Sequence, residues 1–188
     1  RKFWFCKAKA LEELGRVRQA IECYRMEIAS VKHVPPLLLA YVGTLLMHVG
    51  EYNEAVVCLQ RSCELERAVD SLVVLASAYS HLGRDRDALE TIHVALEEDP
   101  SWSEAWHNLG AYLLDERPGD AEPAFRRALE IDPLRADSHG GLAKACLKQG
   151  RFEEAIQAAQ EGLQQDALCG LCHLVVGEGM EAIGRTDD

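Results

Sequence analysis

Apolar positions along this chain recur at helical spacing in short runs, and the runs break at regular places. Between Ser103 and Pro133, Trp106, Leu109, Gly110 and Leu113 fall on one face of a first helix. Ala121, Phe125, Ala128 and Leu129 do the same on a second, because residues three and four apart share a helix face. Asp132-Pro133 closes the second helix; proline has no N–H and disfavours helix in the residue before it. The same phase recurs in both directions. Gly15, Gly50, Gly83 and Gly150 each open a turn, and Ala20, Ala55, Ala88 and Ala155 follow five residues later. Gly184 is placed to open one more turn. In the central repeat Pro118-Gly119-Asp120 stands where the others have Gly-x-x. The helix pairs are expected over about 1–34, 36–67, 69–100, 103–133 and 136–167, with a terminal helix over 169–183. Ser101 or Ser103 is the expected N-cap of the fourth pair. If Asp120 caps its second helix, Pro123 falls in the first turn, where proline is tolerated.

The opening Trp106-x2-Leu109-Gly110, the alanine and aromatic of the following helix and the closing proline resemble a tetratricopeptide repeat, whose period is about 34 residues. The resemblance runs along the whole chain and singles out no particular member. It implies an all-α, right-handed α-solenoid of about five helix pairs plus one terminal helix, whose first helices line a concave groove. Each pair has an apolar face that only a stacked neighbour can cover. Gly43, Ala76, Gly110 and Ala143 are the small residues expected at close crossings, and a fifth-repeat Gly162 stands where the others pack alanine. The array is expected to be a single domain belonging to a longer chain.

Charge narrows the partners. The chain carries 31 Asp+Glu against 20 Lys+Arg, a net charge of −11. A protein that neutralises phosphates needs clustered cations, so nucleic acid is not an expected partner. The most apolar stretch, Leu37 to Met47, stops at His48, short of the roughly 20 residues that cross a bilayer, so membrane insertion is not expected. Seven scattered cysteines, most of them on expected buried faces, read as small hydrophobes in a reducing compartment, and the cytoplasm is the expected location.

Residues beside the packing stripe of each first helix should point into the groove. Those expected to touch a partner are Phe5, Lys9, Leu37, Ala40, Tyr41, Thr44, Met47, Val73, Val74, Ser77, His107, Asn108 and Lys144, with Lys2 on the same face. The face is apolar around the second and third pairs. The resemblance raises two familiar roles, and the residues fit neither. A clamp for chaperone C-terminal carboxylates would need Lys and Asn on the first helix, an Asn on the second pair's first helix and basic residues on the third. Phe5 and Lys9 stand at the first-helix places, Tyr41 at the second and Asp70 and Val74 at the third. Sugar-transferring relatives carry an Asn ladder, and only Asn108 is present on this face. What remains is a scaffold that takes an apolar or amphipathic protein segment. The plain alternative for Leu37, Tyr41 and Met47 is contact with neighbouring repeats or an adjacent domain. The alternative function is a regulatory repeat region of a larger enzyme.

Cys169-Gly170-Leu171-Cys172-His173 has the C-x-x-C-H pattern of haem attachment, and C-x-x-C alone serves redox and zinc sites. No second C-x-x-C or spaced His pair completes a zinc set. His173 keeps the register of Trp4, Leu39, Leu72, Trp106 and His139, so a packing role is expected. No nucleophile, phosphate-loop or dinucleotide motif is present, and neither catalysis nor a cofactor is expected.

Overall fold

The computed structural model describes residues 3–186; Lys2, expected on the groove face, lies outside them. Among the described residues every regular element is a helix: α1 (Phe3–Glu13), α2 (Val17–Ser30), α3 (Pro36–His48), α4 (Tyr52–Leu65), α5 (Val69–His81), α6 (Asp85–Glu98), α7 (Ser103–Leu113), α8 (Pro118–Ile131), α9 (Ala136–Lys148), α10 (Phe152–Gln165) and α11 (Gly170–Thr186). The helices form two compact units, divided between Thr91 and Ile92 inside α6. In the first, α1 pairs with α2 and α3 with α4, and α3 also touches α5. In the second, α7 pairs with α8 and α9 with α10, while α9 also touches α7 and α11. This neighbour-on-neighbour stacking is the all-α solenoid arrangement.

Three local devices build it. Gly15, Gly50, Gly83 and Gly150 all take positive φ, between 67° and 80°, which a residue without Cβ adopts at no steric cost. One residue later the backbone N–H of Arg16, Glu51, Arg84 and Arg151 reaches back to the carbonyls of Leu11, Leu46, Tyr79 and Cys146, at 2.8 to 3.0 Å. That bond closes the preceding helix as a Schellman cap.

The second device ends the repeats. Oδ1 of Asp99, Asp132 and Asp166 accepts the N–H of Ser101, Leu134 and Leu168 at 2.8, 3.2 and 2.9 Å. Each aspartate thus folds its own turn, beside Pro100 and Pro133 in the first two cases and with no proline after Asp166.

The third ties the next helix down. Trp106 Nε1–H donates to the Pro100 carbonyl, His139 Nε2–H to Pro133 and His173 Nε2–H to Ala167, at 2.9, 3.0 and 2.9 Å. Trp and His are interchangeable here because each offers a ring N–H on a flat apolar body.

Close crossings occur where small residues were expected. A Cβ on Gly43 would stand 2.5 Å from Leu59 Cγ, one on Gly110 2.9 Å from the Phe125 ring, and one on Gly162 2.6 Å from Cys172 Sγ. A Cβ on Gly141, which carries no motif, would meet the same atoms of the Phe125 ring, at 2.4 Å from Cε1.

Three expectations need correction. α7 is N-capped by Trp102 without a side-chain bond; neither serine caps it, and the Ser101 hydroxyl donates to Asp99 instead, at 2.6 Å. α8 begins at Pro118 rather than after Asp120, because the fixed φ of proline suits the first helical position. Pro123 therefore lies inside α8, past the first turn, where it deletes a helical hydrogen bond. Pro123→Ala should raise stability by roughly 1–2 kcal/mol, measured by denaturant unfolding; an unchanged midpoint would contradict this. Finally, Gly184 opens no turn, since α11 continues to Thr186. A glycine inside a helix costs only about 0.5–1 kcal/mol, less than breaking the helix around it.

Candidate protein-binding groove

In the first unit the expected groove residues of α1 and α3 converge on open space. A cavity of about 550 Å³ is walled by Phe5 and Lys9 of α1, and by Leu37, Leu38 and Tyr41 of α3. Glu27 of α2 and the α2–α3 connection (Val31, His33 and Pro35) complete it. A second cavity of about 390 Å³ shares Leu37 and Tyr41 and adds Ala40 and Thr44 of α3, with Ala68, Asp70 and Ser71 across from them. Leu37 is 80% exposed, a large aliphatic side chain between two cavities with no cover.

Behind the wall of the first cavity, Phe5, Lys9 and Tyr41 join a cluster of bonded side chains. Tyr24, fully buried, donates its hydroxyl to Glu12 Oε2 at 2.5 Å, and Tyr41 donates to Glu12 Oε1. Lys9 Nζ donates to the Tyr41 oxygen at 3.0 Å, lies 4.3 Å from the ring centroid and stands 3.4 Å from Glu12. Phe5 and Tyr41 each meet the Tyr24 ring edge-on, both with centroids 5.8 Å apart. Burial alone would raise the Glu12 carboxyl, but the two tyrosine hydroxyls and the Lys9 charge hold it below the usual carboxylate range. Burial, helped by Glu12, pushes the Tyr24 phenol up. Tyr41 and Lys9 are thus committed to one another and to Glu12, and the free apolar surface is that of Phe5, Leu37 and Leu38.

The remaining candidates are more scattered. Met47 of α3 and Val74 and Ser77 of α5 are half-buried. Val73 is 3% exposed and belongs to the packing of α5, so it offers a partner no surface. In the second unit, His107 and Asn108 of α7 are half-buried. Burial, then the Arg135 charge, lowers the His107 imidazole to about 4, so the ring is neutral near pH 7. Its Nδ1 lies 2.9 Å from the Ser138 hydroxyl. Lys144 of α9 is paired with Glu178 of α11 at 2.8 Å.

Cys169 and Cys172 are free and buried, with sulfurs 3.0 Å apart. Burial pushes the Cys172 thiol up to about 12, the opposite of the activated thiolate that redox chemistry or a metal requires. His173, held by the Ala167 carbonyl, serves as the clasp described above. Among the described residues no three His, Cys, Asp or Glu side chains converge as a metal site, and no helix is long and apolar enough to cross a membrane.

Sequence reading missed Glu27. It sits on a second helix, outside the first-helix stripe used to trace the groove, yet it lines the cavity.

Family models described as tetratricopeptide repeat match residues 71–101 and 112–175. Anaphase-promoting complex subunit 7 of Dictyostelium discoideum is 25% identical over 164 residues, or 86% of this chain. The chain spans 27% of that relative's length. A tetratricopeptide repeat protein of Parabacteroides merdae has the same fold, with a TM-score of 0.83 at 19% identity over 96% of this chain and 72% of its own. A thermophilic repeat protein of Thermus thermophilus follows at 0.72 and 19% identity, over 93% and 95%.

Proposed function

This chain belongs to the tetratricopeptide repeat family, and from that premise we propose that it is a non-enzymatic interaction scaffold whose first unit holds an apolar or amphipathic protein segment. The observation that carries the reading is the 550 Å³ cavity at which Phe5, Leu37, Leu38 and Tyr41 converge, with Leu37 standing open beside it. Exposed apolar surface gathered in a concavity is what partners cover. The five helix pairs and α11 are read as one repeat array. Its partners are proteins rather than nucleic acid, in line with the net charge of −11. Seven free thiols suit a reducing compartment such as the cytoplasm.

The test uses Leu37→Asp. The side chain is exposed, so the variant should keep the helicity and melting temperature of the parent. Its affinity for apolar peptides should fall about tenfold or more, the cost of truncating a central anchor. Undiminished affinity in the folded variant would remove the reading.

A second reading is favoured by the likeness to a subunit of a multiprotein complex. In it the groove is filled by another subunit of a stable assembly, and the occupant copurifies in stoichiometric amount rather than exchanging.

A further inference from the structure

The scaffold reading leaves the occupant's chemistry open, and one side chain speaks to it. Glu27 lines the larger cavity, is 7% exposed, and has no hydrogen-bond partner at Oε2. Buried carboxylates are rare unless paired. The neighbouring groups do not supply the pair. The Ser30 hydroxyl donates to the backbone carbonyl of Glu27, at 2.8 Å, and not to its carboxylate. Lys9, the cation on the opposite wall, is committed to Tyr41 and Glu12. His33 lies on the rim and makes no bond to Oε2, which has none.

We propose that the groove selects a segment in which a basic side chain, Arg or Lys, lies beside bulky apolar ones, the cation docking on Glu27 while the apolar residues cover Phe5, Leu37 and Leu38. This rests on the scaffold reading and deepens it. The charge argument runs in one direction. A carboxylate or phosphate entering the cavity would meet an uncompensated anion inside an acidic protein, whereas a cation supplies the missing donors. Guanidinium fits best, because a small turn of the Glu27 side chain would present Oε2 with its neighbour oxygen to two parallel N–H donors. The gain is large for a single contact because the carboxylate is already desolvated in the free protein.

The probe is a set of acetylated, amidated octapeptide sublibraries, apolar at every position but one, that one being Arg, Lys, norleucine or Glu. Binding is measured to the parent chain, to Glu27→Gln and to Leu37→Asp. The Arg sublibrary should bind the parent about tenfold or more tightly than the norleucine one, with Lys between them and Glu weakest. In Glu27→Gln the preference should vanish while norleucine peptides still bind. That variant loses an unpaired buried charge and keeps the shape of the side chain, so it should melt no lower than the parent, which separates loss of recognition from loss of fold. Equal binding of Arg and norleucine peptides to the parent, or a cation preference that survives Glu27→Gln, would overturn the cation site and leave the apolar groove standing. Failure of every sublibrary to bind, or binding untouched by Leu37→Asp, would remove the groove and the cation site together.

Discussion

Phe125→Ala is expected to lower the stability of the second unit by about 3–5 kcal/mol. Phe125 is almost completely buried. Its ring lies against the bare backbone of Gly110 on α7 and Gly141 on α9, and the His107 ring meets it at 65° with centroids 5.6 Å apart. The cost of a large-to-small change depends on how far neighbours can close the hole. Here two of the walls are glycines with no side chain to move in, so the cavity persists and the loss should lie towards the upper end. Hydrogen exchange along residues 92–188 across a denaturant series would measure it. A loss below about 1 kcal/mol would show that the ring is not what joins α7, α8 and α9.

The second large effect is in the first unit. Leu59 on α4 is fully buried against Gly43 on α3, and Leu59→Ala should cost about 2–5 kcal/mol. The pair also makes a coupling test. In the parent, Gly43→Ala forces a Cβ to 2.5 Å from Leu59 Cγ, an overpacking worth roughly 1–3 kcal/mol against a helix-propensity gain of about 0.5–1. In the Leu59→Ala background the same methyl enters vacated space, and both contributions become favourable. Gly43→Ala should therefore destabilise the parent and stabilise the variant. Strictly additive effects would mean that the two residues are not in contact.

The fold was legible because its punctuation is chemical. Glycine, followed five residues later by alanine, is the combination that a left-handed turn and a close helix crossing each demand, and it repeats four times. The interchange of Trp106, His139 and His173 was readable as register, although their shared bond to a carbonyl six residues back was not. Nothing in composition distinguishes a ring N–H that packs from one that also clasps. The Asp99 and Asp132 turns were hidden behind Pro100 and Pro133, each sufficient to stop a helix, and the Asp166 turn, with no proline beside it, showed no such stop at all. Pro118 was passed over as a helix start because Asp120 is the better cap in isolation.

At the groove, the apolar positions of α1 and α3 came from the repeat phase, since residues one step from the packing stripe must face outwards from it. Val73 failed because the stripe on α5 is wider than on α1, α3 and α7: Ser71, Leu72, Val73, Leu75, Ala76, Ala78 and Tyr79 are all buried. Glu27 could not be found that way. Its role depends on where the end of α2 sits against the α2–α3 connection, which is a tertiary fact.

The most direct measurement is photo-crosslinking in cells of origin, with a benzophenone amino acid placed at Leu37 in one sample and at Val57, an exposed position on α4, in another. The account predicts one dominant protein adduct at position 37, mapping to an apolar segment of the partner, and none of that partner at position 57. The same adducts at both positions, or none at 37, would contradict it.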